Sequence, residues 1–131
     1  MLDIQQEMLE KARHKIQSAG LHNVGFTQGD AVDLPFDENK FDVVFLVAVL
    51  GEISDKERCL DAIYKILKSS GLLSITEQPG DPDFLPLPVV RSLAEKQGFE
   101  FVKSYGRKRN YTANFRKPDQ ISKSKLRDKY E

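Results

Sequence analysis

Apolar positions recur along the chain in two alternating periods, and that alternation sets the expected architecture. Between Gln5 and Ala19, residues Met8, Leu9, Ala12, Ile16 and Ala19 keep helical spacing, with Glu7, Glu10, Lys11, Arg13 and Lys15 on the other faces. Asp3 stands where an N-cap would, and Gly20 where a helix-ending glycine would. Val24 to Gln28 predicts a short strand, broken by Gly29-Asp30. Phe41 to Leu50 is a continuous run rich in β-branched and aromatic residues, which predicts a strand buried on both faces in the middle of a parallel sheet. Ser54-Asp55-Lys56-Glu57 fits a capping box with Ser54 as the cap. The helix it opens places Cys59, Leu60, Ile63, Ile66 and Leu67 on one face and closes at Gly71, and Leu72–Glu77 follows as a strand. A loop holding Pro79, Gly80, Pro82 and Pro86 leads to a helix begun by Pro86 or Pro88, with Val89, Val90, Leu93 and Ala94 on its apolar face. After Gly98, the strands Phe99–Tyr105 and Tyr111–Arg116 are close enough in sequence for an antiparallel hairpin and too close for a crossover. The expected fold class is therefore α/β, a mostly parallel sheet with a C-terminal antiparallel hairpin, over residues 1–116. Residues 117–131 are charged, lack apolar periodicity and read as a flexible tail.

Composition narrows the classes without changing that picture. The 131 residues suit one domain, and 40% hydrophobic content suffices for a core. A single cysteine excludes an internal disulfide framework. No apolar run approaches the roughly 20 residues that span a bilayer, and Met1-Leu2-Asp3-Ile4-Gln5-Gln6-Glu7 has no basic or apolar leader, so a cytoplasmic domain without membrane contact is expected. The net charge of zero hides an asymmetry: residues 1–102 carry 10 basic and 17 acidic side chains, and residues 103–131 carry 10 and 3. Arg107, Lys108 and Arg109 sit on the hairpin turn beside Tyr105, Tyr111 and Phe115, a basic and aromatic grouping open to two readings: a solvated surface or a contact for nucleic acid.

Much chemistry is excluded. There is no phosphate-binding G-x-x-x-x-G-K-[ST], no G-x-G-x-x-G and no G-x-S-x-G. His14 and His22 are the only histidines, and no metal-ligand spacing occurs, so no metal is expected. His14 reads as a solvated helix residue and Cys59 as core. What remains is a set of acids at strand ends, Asp3, Asp30 and Glu77, where open α/β sheets bind ligands and where a carboxylate can accept from ribose hydroxyls or an exocyclic amine. Glu52 offers either a general base or an exposed loop acid.

Four segments, in order, resemble the small-molecule type of class I S-adenosylmethionine-dependent methyltransferase. They are Leu2-Asp3-Ile4 with the helix after it, Gln28-Gly29-Asp30-Ala31-Val32-Asp33-Leu34-Pro35-Phe36, Lys40-Phe41-Asp42-Val43-Val44, and Ile66-Leu67-Lys68-Ser69-Ser70-Gly71-Leu72-Leu73. The resemblance implies a Rossmann-like sheet, S-adenosylmethionine as cofactor and a small-molecule methyl acceptor. It implies that Asp3 binds the ribose hydroxyls and Ile4 packs on adenine. The Gly29-Asp30-Ala31 element would meet the adenine edge, with Asp30 accepting from its amino group. Val47 would lie near the methionine portion.

Two departures accompany the match. The family's first strand and glycine-rich loop lie upstream of the acid matched by Asp3, so the domain is expected to be N-terminally incomplete, with an unpaired edge on the strand that begins at Phe41. Ser69-Ser70 replaces Pro-Gly, and Gly51-Glu52 stands where a histidine pair is common. The alternative to an enzyme is a non-catalytic module of the same fold, with the open edge filled by self-association or another chain.

Overall fold

The computed structural model describes residues 1–119, which fall into two compact units, Met1–Pro35 and the chain from Phe36 onward. In the first unit, β1 (Leu2–Asp3) and β2 (Thr27–Gln28) pair in parallel, Leu2 with Thr27 and Asp3 with Gln28, and α1 (Gln6–Ser18) connects them. The strand expected over Val24–Gln28 is shorter than its pattern suggests, because β1 offers only two residues to pair with. Asp3 is not the N-cap of α1: it lies in β1, Gln5 takes the cap position, and the Asp3 carboxylate accepts from the Gln5 N–H at 2.9 Å. Gly20 ends the helix as expected, with φ of 78°. The Gly20 N–H donates to the Gln17 carbonyl and the Leu21 N–H to the Ile16 carbonyl, the paired bonds of a left-handed helix stop.

The second unit is a four-stranded sheet in the order β3-β4-β6-β5, with β3 Phe41–Val47, β4 Leu67–Glu77, β5 Glu100–Arg107 and β6 Asn110–Arg116. The β3–β4 pair is parallel and the other two pairs are antiparallel. Helices α2 (Lys56–Ile66) and α3 (Leu87–Lys96) touch each other and cover one face. On that face Leu73, Ile75, Ala113 and Phe115 pack beneath Cys59, Leu60, Ile63, Val90 and Ala94, all buried. Cys59 is therefore a core residue. Asp55, not Ser54, caps α2, accepting from the Arg58 N–H at 3.1 Å, while Glu57 reaches Lys96 at 2.6 Å instead of closing a capping box. Gly71 does not close α2, which ends at Ile66 and passes directly into β4. Its missing side chain instead lets the backbone fold tightly, since a Cβ there would lie 2.7 Å from the Lys68 carbonyl and 3.2 Å from that of Asp42.

The run at Phe41–Leu50 is not buried on both faces. It forms an edge strand of this sheet, and Val43, Phe45 and Val47 point to the face that α2 and α3 leave open, with Phe45 71% exposed. The hairpin forms as expected but with a tighter turn: Arg107 pairs with Asn110, leaving only Lys108 and Arg109 between the strands. Lys117, placed at the head of the charged tail by sequence, is buried, its ammonium 2.8 Å from the Leu67 carbonyl and 4.7 Å from the centre of the Tyr64 ring. Residues 120–131 of that segment lie outside the described residues.

Candidate functional site

In the first unit, parallel pairing of β1 with β2 brings the carboxyl ends of both strands to one edge. The Gly29 N–H donates to the Asp3 carbonyl at 3.0 Å, so Asp3 and the Gly29-Asp30-Ala31 turn become neighbours across 26 residues of sequence. A Cβ on Gly29 would crowd Leu2 at 3.2 Å and Pro35 at 3.5 Å, which favours glycine where β2 leaves the sheet. Asp30 shapes the next turn by two bonds: its carboxylate accepts from the Val32 N–H at 3.1 Å, and its carbonyl from the Asp33 N–H at 3.0 Å. Its side chain remains exposed, Asp3 is half-buried, and Ile4 is 61% exposed beside them, its carbonyl held by the Gln28 side-chain amide at 3.1 Å. The turn thus presents two carboxylates and an uncovered aliphatic side chain. That is the chemistry that accepts hydroxyl or amine donors and covers one face of a flat ring.

The second unit has its own carboxyl edge. Val47, 44% exposed, ends β3, and Ala48 follows in the left-handed region at φ 54°, its N–H bonded to the Thr76 carbonyl at 2.9 Å. An alanine held there costs about 1–2 kcal/mol, an expense that typically marks a position fixed by its surroundings. The chain then makes a 3₁₀ turn, Leu50–Glu52, in which Gly51 presses on the loop after β4: a Cβ at Gly51 would stand 1.9 Å from the Asp83 carbonyl oxygen. This contact gathers the carboxylates of Glu52, Asp81 and Asp83, one oxygen of each lying within 4.8 Å of the others. Sequence spacing gave no sign of the cluster, because its members come from two loops that only the parallel β3–β4 pairing aligns. The usable hint was Gly51 after one strand and Asp81-Pro82-Asp83 after the next.

Glu77, the acid that ends β4, points into the helix-covered face and is completely buried, its carboxylate meeting the Leu85 backbone too loosely for a well-formed hydrogen bond. Burial pushes its pKa up, the backbone at Leu85 draws it partly back, and the nearby Asp81 charge adds to the rise. Directly across the ladder, Tyr111 donates its phenolic proton to the Leu85 carbonyl and packs edge-on against Phe84, 6.1 Å between ring centres. Burial, and then the Glu77 charge, raise the Tyr111 pKa well above its ordinary value. The tyrosine therefore stays a proton donor and pins the loop, while Glu77 is held toward its neutral form beneath it.

An α/β sheet with ligand-type groups at its carboxyl ends is the arrangement of nucleotide-cofactor domains. Residues 1–75, over half of the chain, match the family described as methyltransferase domain, and the chain belongs to that family. A demethylmenaquinone methyltransferase of Listeria welshimeri is 35% identical over 108 residues, 79% of this chain and 46% of that protein. A ubiquinone/menaquinone biosynthesis C-methyltransferase of Idiomarina loihiensis is 37% identical over 78 residues, 59% of this chain and 31% of that one. The chain spans less than half the length of these relatives. Among solved structures, a SAM-dependent methyltransferase from Aquifex aeolicus aligns with a TM-score of 0.79 at 19% identity, covering 88% of this chain and 66% of the other. The [4+2]-cyclase SpnF aligns with 0.78 at 19% identity, covering 90% and 65%. These likenesses establish the Rossmann-like fold, and the second shows the same fold bearing a different reaction name. No described helix is long and apolar enough to cross a membrane.

Proposed function

We propose that this chain serves S-adenosylmethionine-dependent methyl transfer to a small-molecule acceptor. The observation that carries the reading is the Asp3/Gly29-Asp30-Ala31 edge, in which the acids named by the family resemblance sit at the carboxyl ends of two paired parallel strands. The groups present fit the cofactor: Asp3 can accept from both ribose hydroxyls, Ile4 offers an apolar surface to adenine, and Asp30 and the Ala31 backbone offer an edge to its amine. Val47 is the residue the resemblance assigns to the methionine portion. The bound cofactor supplies an electrophilic methyl group on a sulfonium sulfur. The protein's part is to orient donor and acceptor, which can lower the barrier of a two-substrate transfer by about 7–11 kcal/mol. The names of the relatives make a quinone-type ring the leading acceptor, and a cytoplasmic location accompanies that reading.

Calorimetric titration of the full-length protein with S-adenosylmethionine tests it. Asp3→Ala removes a hydrogen-bonded charge, worth about 1.5–3 kcal/mol, and should weaken binding by roughly 10- to 150-fold. Asp30→Asn should weaken it less, because an amide oxygen still accepts. Undiminished affinity in Asp3→Ala would remove the cofactor edge from this turn.

A further inference from the structure

The hairpin of β5 and β6 concentrates positive charge that no acid of its own offsets. From Phe101 to Pro118 the chain has six basic side chains and no acidic one. Four of the six, Lys103, Arg107, Lys108 and Arg109, fall within seven residues, and all four are exposed. Elsewhere on this unit Lys65, Lys68, Arg91 and Lys96 each meet a carboxylate, but among the described residues none of these four is in an ion pair. The pairing register sets where they stand. Tyr111, 3% exposed, faces the helices, whereas Lys103, Tyr105 and Arg107 lie on the other face of β5, and Lys108 and Arg109 form the turn. β5 is an outer strand of the sheet, so this row borders solvent.

β5 is antiparallel to β6, and β6 to β4, so β5 runs in the same direction as β3 and β4. The basic turn therefore lies at the carboxyl edge of the sheet, the edge at which Val47 ends β3. The acids of that edge, Glu52, Asp81 and Asp83, gather after β3 and β4, and none pairs with a cation of the turn, so the edge has an acidic end and a basic end. The cations cap a hairpin and border an edge strand instead of lining a groove. Lys103 already covers the Tyr105 ring, its ammonium 5.0 Å from the ring centre, so the platform on which unpaired bases would stack is occupied. That shape and charge fit a flat anionic surface better than a nucleic-acid strand. Tyr105, 53% exposed, and Val102, 45% exposed, add apolar surface beside the cations, the mixture that suits a lipid headgroup layer.

We propose that the β5–β6 hairpin docks on an anionic lipid surface, with Lys103, Arg107, Lys108 and Arg109 against the headgroups. Four such side chains reach the size of the polybasic clusters that bind these surfaces, each near-surface cation strengthening attachment about fivefold. Contact of this peripheral kind needs no apolar span, and so departs from the expectation of a domain without membrane contact. Docking would bring the carboxyl edge of the sheet toward the lipid. It requires no cofactor, so it stands or falls separately from the methyl-transfer reading.

Co-sedimentation of the full chain with lipid vesicles tests the proposal, using phosphatidylcholine alone and phosphatidylcholine with about one-third phosphatidylglycerol. The protein should sediment with the anionic vesicles, stay in solution with the neutral ones, and be released by added salt. The variant Arg107→Gln/Lys108→Gln/Arg109→Gln, changed only at exposed positions, should partition roughly 100-fold more weakly. Arg107→Lys/Arg109→Lys, which keeps the charge, should stay within about twofold of the parent. So should Lys65→Gln/Lys68→Gln, which removes two exposed cations from the opposite edge of the sheet, within about twofold. No sedimentation with anionic vesicles, equal sedimentation with neutral ones, or unchanged partitioning of the triple glutamine variant overturns the proposal. A poly(U) oligonucleotide that binds more tightly than the vesicles and strips the protein from them also overturns it, and assigns the hairpin to nucleic acid.

Discussion

Substituting Gly51 by alanine isolates one contact on which the shape of the C-terminal carboxyl edge depends. A Cβ at this position would lie 1.9 Å from the Asp83 carbonyl oxygen, 2.9 Å from its carbonyl carbon and 3.0 Å from its Cβ. The obstacle is largely backbone, so no rotamer change relieves it. Either the 3₁₀ turn or the Asp81–Asp83 loop must retreat by more than an ångström. Inserting one carbon into a packed site that must shift to admit it costs about 1–3 kcal/mol, and a backbone obstacle places this case at about 3 kcal/mol. Urea denaturation followed by circular dichroism measures the loss as a lower midpoint at unchanged slope. Gly25→Ala is the control, because nothing lies within 4 Å of a Cβ there and its φ is not left-handed. The reasoning fails if Gly51→Ala unfolds at the same urea concentration as the parent, since surface-like tolerance, within about 0.5 kcal/mol, would mean the turn and loop are not in contact.

Two further predictions concern the same edge. The folded state holds the Glu77 proton more tightly than the unfolded chain does, so wild-type stability is full below the ordinary carboxyl range and falls as pH rises toward the raised folded-state pKa. Glu77→Gln should erase that fall and gain on the parent across it in melting temperatures taken from pH 4 to 8, whereas parallel profiles would show that the buried carboxyl is not the titrating group. Ala48→Gly should stabilise by about 1 kcal/mol, because glycine adopts φ of 54° without the strain alanine bears, and a lower unfolding midpoint in that variant would contradict it.

How much of this was legible in the sequence depends on the range of the interaction that decides each feature. Gly20 and Gly98 both mark helix ends correctly, because the left-handed stop is built from residues within one turn. The hairpin and the α/β class were likewise legible, from periodicity and short spacing. Phe41–Leu50 misled, because an apolar run reports what a strand could bury, while its exposure depends on which strands and helices lie against it. The cap of α1 moved from Asp3 to Gln5 because Asp3 is engaged by strand pairing with Gln28, which a local pattern does not register, and at α2 Asp55 caps in place of the neighbouring Ser54. At the candidate sites, the Asp3 and Asp30 edge was named from a resemblance and then assembled by that same pairing. Glu52, Asp81 and Asp83 converge through a glycine contact between two loops, which linear spacing does not register.

The direct passage of α2 into β4 has a consequence for how this unit opens. Ile66 is the last helical residue and Leu67 the first of the strand, both buried, with the Leu67 carbonyl held by Lys117 and the Lys40 N–H bonded to the Ile66 carbonyl. Leu67 pairs with Phe41 before Lys68–Gly71 bulge out and regular pairing resumes between Leu72 and Val43, so the final turn of α2 cannot fray without disturbing this anchor on the sheet. Amide protons at the end of a helix ordinarily exchange among the fastest of their element. The amide protons of Tyr64 to Ile66 are therefore expected to exchange more slowly than those at the α2 N-terminus near Asp55, which a hydrogen-exchange measurement would check.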